Sequence, residues 1–85
     1  MNYFFGMPRY HFHVCNGDGF TENKVVQDFA GPEAARAEAI RIARSIMSDE
    51  LQSGQMNLAS FVEIEEEGGN LLATITFPEA VEITI

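Results

Sequence analysis

The chain has one cysteine, no tryptophan and only five lysines and arginines among its 85 residues. With Cys15 alone, an internal disulfide and a zinc cage of thiolates are both excluded, and the thiol suits a reducing compartment. No apolar run approaches the roughly 18 residues that cross a bilayer. The start also lacks a basic stretch leading into an apolar segment and a small-residue cleavage site. A cytoplasmic protein without membrane contact is the expectation.

The shortage of basic residues leaves thirteen acidic side chains dominant and a net charge of -8. Such a surface repels phosphate backbones and anionic lipid, since nucleic-acid binders draw most of their affinity from basic groups that displace counterions. No nucleic-acid partner is expected. Arg36, Arg41 and Arg44 form the one local basic cluster, with Glu33, Glu38 and Glu50 around them. That arrangement reads as charge pairing on a helix surface.

What is present is ordinary for a globular domain: 46% apolar and 21% charged residues. A chain of this length has room for one core and buries only about 60 to 65% of its extended surface. Residues 7–85 read as that single domain. Residues 1–6 read apart from it, and two alternatives stand for them: an extension ahead of a start at Met7, or a segment whose Tyr3, Phe4 and Phe5 add to the core or an interface.

From Arg9 to Cys15 the chain alternates, with Tyr10, Phe12 and Val14 on one face and His11, His13 and Cys15 on the other, as in a half-buried strand. Asn16-Gly17-Asp18-Gly19 is a hairpin signal because these residues tolerate positive φ. Phe20 to Asp28 returns as a polar strand suited to a sheet edge. Gly31 and Pro32 then open a helix, with Glu33 complementing its dipole, and the alanine-rich run continues through Leu51 to a stop at Gly54. Ala35, Ala39, Ile40, Ile42, Ala43, Ile46, Met47 and Leu51 share about half its circumference. At about 1.5 Å per residue this helix outruns the strands, and one end is expected to overhang.

Phe61 to Glu66 alternates again, Val62 and Ile64 against Phe61, Glu63 and Glu65. Glu67-Gly68-Gly69-Asn70 turns the chain. Leu71, Ala73, Ile75 and Phe77 then face one way, and Leu72, Thr74 and Thr76 the other. Pro78 interrupts the ladder, and Val81, Ile83 and Ile85 leave room for a short fifth strand. The expected fold is α+β: a single helix packed on one face of a small antiparallel sheet, in the order ββαββ. The expected core comprises Tyr10, Phe12, Val14, Ile40, Ala43, Met47, Leu51, Val62, Ile64, Ala73, Ile75 and Phe77.

Several of these stretches resemble a known family. Met7-Pro8-Arg9-Tyr10 with Phe12-His13-Val14, Gly17-Asp18-Gly19, Ala34-Ala35-Arg36-Ala37-Glu38-Ala39, Thr76-Phe77 and Ala80-Val81-Glu82-Ile83 resemble small bacterial proteins grouped as a domain of unknown function. The resemblance runs from Met7 to about Ile83 and implies a start at Met7. It implies no activity, cofactor or catalytic residue. Lys24 departs from the pattern, standing where a turn or glycine is expected.

The sharpest polar grouping is His11 and His13, two apart and therefore on one face. If Glu63 and Glu65 project beside them, two imidazoles and two carboxylates make a candidate site for zinc or a similar divalent ion. The plain alternative is the polar face that a sheet shows opposite its helix. Asn16, Asp18 and Glu22 fail as a calcium loop, since Phe20 and Thr21 occupy a ligand and a glycine position. Cys15 beside His13 is a weak nucleophile pair at strand spacing, with no third group to orient the histidine. Glu63, Glu65, Glu66 and Glu67 read as a solvated charge run. No phosphate-binding glycine loop, serine triad or dinucleotide fingerprint is present.

No cofactor and no catalytic residue follow from this inventory. It favours a non-enzymatic interaction or regulatory module acting as a homodimer, with Phe61, Leu72, Val81 and Ile83 as interface candidates. The alternative is a metal-binding protein or metal-dependent enzyme using His11, His13, Glu63 and Glu65.

Overall fold

The computed structural model describes residues 8–16 and 21–84, and for residues 21–26 the backbone alone. The candidate extension 1–6, Met7, the hairpin residues 17–20 and Ile85 lie outside the described residues. Strand β1 (Arg9–Cys15) and strand β2 (Thr21–Asp28) are followed by helix α1 (Pro32–Gln52), strand β3 (Phe61–Glu66) and strand β4 (Leu71–Thr76). The strands form one antiparallel sheet in the order β2-β1-β3-β4. The expected ββαββ arrangement is the observed one, with β2 at an edge.

Helix α1 starts where the sequence signals coincide. Gly31 is the N-cap in extended backbone, Pro32 opens the first turn, and Glu33 sits near the positive end of the helix dipole. The Gly31 carbonyl accepts the first helical bond from the Ala35 N–H at 3.1 Å. Between β3 and β4 the turn needs positive φ, and Gly68 and Gly69 adopt +106° and +96°, values that side chains with a Cβ rarely take.

The core lies between the sheet and α1. Phe12, Val62, Ile64, Ile75 and Phe77 are fully buried on the sheet side and meet Ala35, Ala39, Ile42, Ala43 and Met47 of the helix. Small alanines let the helix sit close to the strands. Phe29, which follows β2, meets the Phe12 ring edge-on with centroids 5.7 Å apart. Ile40 and Ala73 pack against this cluster while only partly buried.

Four expectations are corrected. Leu51 is 59% exposed, because a 21-residue helix of about 31 Å runs past six-residue strands of about 20 Å and its last turn overhangs the sheet. The pairing of β3 with β4 shifts register between Ile64 and Glu65, so that Ile64 opposes Ala73 and Glu65 opposes Leu71. A bulge of this kind moves the residues beyond it to the other face. Leu72 accordingly packs against the core and lines a small hollow with Pro32, Glu33 and Arg36, whereas Leu71 is exposed. Cys15 is buried despite its place on the face away from the helix. Last, no fifth strand forms among the described residues.

The chain instead makes a 3-10 turn at Pro78–Ala80. The reason is a set of polar anchors that a strand would lose. Arg44 Nε donates to the Ala80 carbonyl at 2.6 Å, and Glu79 Oε2 accepts from both the backbone N–H and the hydroxyl of Thr76, at 2.8 and 2.9 Å. These two bonds from Thr76 hold the Glu79 carboxyl below the ordinary glutamate range, with Arg36 nearby as a smaller cause. A carboxyl depressed in the folded state stabilises fully above its ordinary pKa, and the contribution disappears as pH falls through the lowered value. The melting temperature of Glu79→Ala is therefore expected to lie below that of the native chain at neutral pH and to converge on it in acid. A gap that persisted unchanged into acid would assign the effect to packing.

The register places Lys24 at an irregular position. Phe12 opposes Val25 and His13 opposes Asn23, so Lys24 is the extra residue of a bulge in β2.

Candidate functional site

Alternation along β1 and β3 sends Phe12, Val62 and Ile64 toward the helix and the intervening residues to the opposite face. Antiparallel pairing then sets His11 opposite Glu65 and His13 opposite Glu63. The four candidate ligands do share the face away from the helix. The imidazoles lie nearly parallel, 13° apart, with centroids at 6.4 Å.

Contact within the group is narrower than sharing a face. His13 Nε2 lies 3.0 Å from Glu65 Oε1, a diagonal pairing across the two strands, and both side chains are partly shielded from solvent. A hydrogen bond with a carboxylate holds the imidazole in one orientation. Among the described residues no group of three or more histidine, cysteine, aspartate and glutamate side chains is gathered closely enough to hold a metal ion. Cys15 forms no disulfide and is buried. The observed partner of the His13 Nε2 is Glu65, so the Cys15–His13 pairing does not appear through that nitrogen.

The interface candidates fall in different places. Phe61 stands opposite Cys15 and Thr76, half-buried on the face away from the helix. Leu72 belongs to the helix side, and Val81 packs against the core. Ile83 is 66% exposed and joins Met47, Leu51, Met56 and Val81 in lining an apolar groove of about 570 Å³ beside the overhanging end of α1. Sequence reasoning missed this groove, since Leu51 looked like core and the tail looked like a strand. The three arginines of α1 are engaged locally: Arg41 with Glu38, Arg44 with the Ala80 carbonyl, and Arg36 at 4.0 Å from Glu79. No helix among the described residues is long and apolar enough to cross a membrane.

One helix on a four-stranded antiparallel sheet, with a paired histidine and glutamate on the uncovered face, defines a small ββαββ domain of the α+β class. Residues 9–78 match the model of a family described as a domain of unknown function, DUF6894, and the chain belongs to that family. The matched span includes Arg9, Tyr10, Phe12, His13 and Val14 of the opening motif and leaves out Met7, Pro8 and the stretch from Ala80 to Ile83. No curated protein and no solved structure gives a significant match to the chain.

Proposed function

We propose that this chain is a non-enzymatic interaction or regulatory module that acts as a homodimer. The observation that carries the reading is the apolar surface left over once one helix has covered one face of the sheet. Leu51 and Ile83, 59% and 66% exposed, share the groove at the end of α1. Leu71, also 59% exposed, stands at the start of edge strand β4. A small domain that leaves side chains of this size to water gains by covering them, and contiguous apolar surface marks contact sites. Two-fold association is the commonest form that such contact takes.

The charge of -8 opposes the encounter of two copies. Salt shortens the reach of that repulsion to about 10 Å at 0.1 M. Sedimentation velocity at micromolar concentration is expected to find a dimer whose population rises between low and moderate salt. A monomer at both would overturn the reading.

A further inference from the structure

The outer edge of β4 carries an inference that rests on the homodimer reading and gives it a geometry. Thr76 shows which backbone groups face outward: its N–H donates to Glu79 Oε2 at 2.8 Å, while the N–H of Phe77 turns inward to the Ser60 carbonyl at 3.0 Å. Backbone direction alternates along a strand, so the N–H and carbonyl of Thr74 face outward too. Among the described residues no strand pairs with that edge.

Among the described strands, β4 alone has no charged residue. β1 contains Arg9, β3 contains Glu63, Glu65 and Glu66, and the opposite edge, β2, contains Glu22, Lys24 and Asp28 together with a bulge. Charges and bulges are what keep a free edge from adding a neighbour's strand. β2 has both. β4, reading Leu-Leu-Ala-Thr-Ile-Thr, has a bulge only near its start and no charge along its length.

We propose that β4 pairs antiparallel with β4 of a second copy about a two-fold axis at Thr74, joining the two sheets into one with both helices on the same side. The occupant is a second copy for two reasons. Two-fold antiparallel pairing satisfies the same groups on both strands at once, each Thr74 N–H donating to the other copy's Thr74 carbonyl. Two chains of charge -8 also meet here along a strand with no charged residue of its own, and the carboxylate at its end, Glu79, is held by Thr76 with Arg36 at 4.0 Å.

The same geometry sets where the ladder ends. In this register the next outward donor, Thr76 N–H, would reach the other copy's Leu72 carbonyl, but Glu79 already holds it. Pro78, two residues further on, has no N–H to offer. The turn at Pro78–Ala80 thus limits the seam to a short central segment.

Thr74→Pro tests the seam, because it removes an outward donor and leaves the bonds to β3 in place. Sedimentation is expected to show dimerisation weakened on the order of tenfold or more, the consequence of losing one hydrogen bond from each copy. Phe61→Glu, which alters the uncovered face of the sheet, is expected to leave the dimer intact. Hydrogen exchange at the Thr74 amide of the native chain gives a second measurement that needs no variant: it should slow as concentration rises through the dimer range. A dimer that survives in folded Thr74→Pro, or whose Thr74 amide exchanges at a rate independent of concentration, overturns the β4 seam and leaves the homodimer reading standing. A monomer throughout overturns both.

Discussion

Phe12→Ala is expected to lower unfolding free energy by about 3 to 5 kcal/mol, the range for truncating a buried aromatic side chain. The total for a chain of this length is only about 4 to 13 kcal/mol. Phe12 has no solvent exposure and sits at the centre of β1, which is bonded to β2 on one side and β3 on the other. Its ring is fixed edge-on against Phe29. On one side β3, itself paired on both edges, cannot move in without breaking its ladders, so part of the cavity remains and its cost adds to the lost burial. Chemical denaturation checks this: the midpoint should fall steeply with little change in slope. A midpoint near the native value would mean that Phe12 does not face α1.

Phe77→Ala is expected to cost a similar 3 to 5 kcal/mol and to have a local signature that Phe12→Ala lacks. Phe77 is also fully buried, but it stands at the junction where β4 gives way to the 3-10 turn. Its N–H donates to Ser60 and its carbonyl accepts from Ala80 at 3.1 Å. The ring therefore seats the turn that carries Glu79 and, beyond it, Val81 and Ile83. Amide exchange at Ala80 and Val81 should accelerate more than the global loss of stability accounts for. If those amides merely follow global unfolding, the seat of the turn lies in Arg44 and Glu79 alone.

These two substitutions also mark which parts of the fold were legible along the chain. Strict alternation in Tyr10-His11-Phe12-His13-Val14 and Phe61 to Ile64 identifies the strands and their buried faces, because side chains point to opposite faces at every step. Gly31-Pro32-Glu33 and the alanine run define α1, since cap geometry, fixed φ and helix propensity are local properties. His11, His13, Glu63 and Glu65 could be assigned to one face by the same rule. That His13 meets Glu65, and not the glutamate directly opposite it, could not. The pairing depends on rotamers chosen across two strands.

The class of fold, the order of its elements and the acidic, cysteine-poor composition follow from short-range preferences and residue counts along the chain. Which of two adjacent leucines enters the core depends instead on contacts between strands. Leu71 and Leu72 are equivalent to any local rule, and the bulge opposite Ile64 and Glu65 turns Leu72 toward α1 and Leu71 outward. Tertiary contacts also decide the fate of the tail. Val81 and Ile83 alternate like a strand, but a strand gains its stability from a neighbour's backbone. Arg44, far along the chain from Ala80 but bonded to its carbonyl, acts with the Glu79–Thr76 bonds to hold Pro78–Ala80 in a turn.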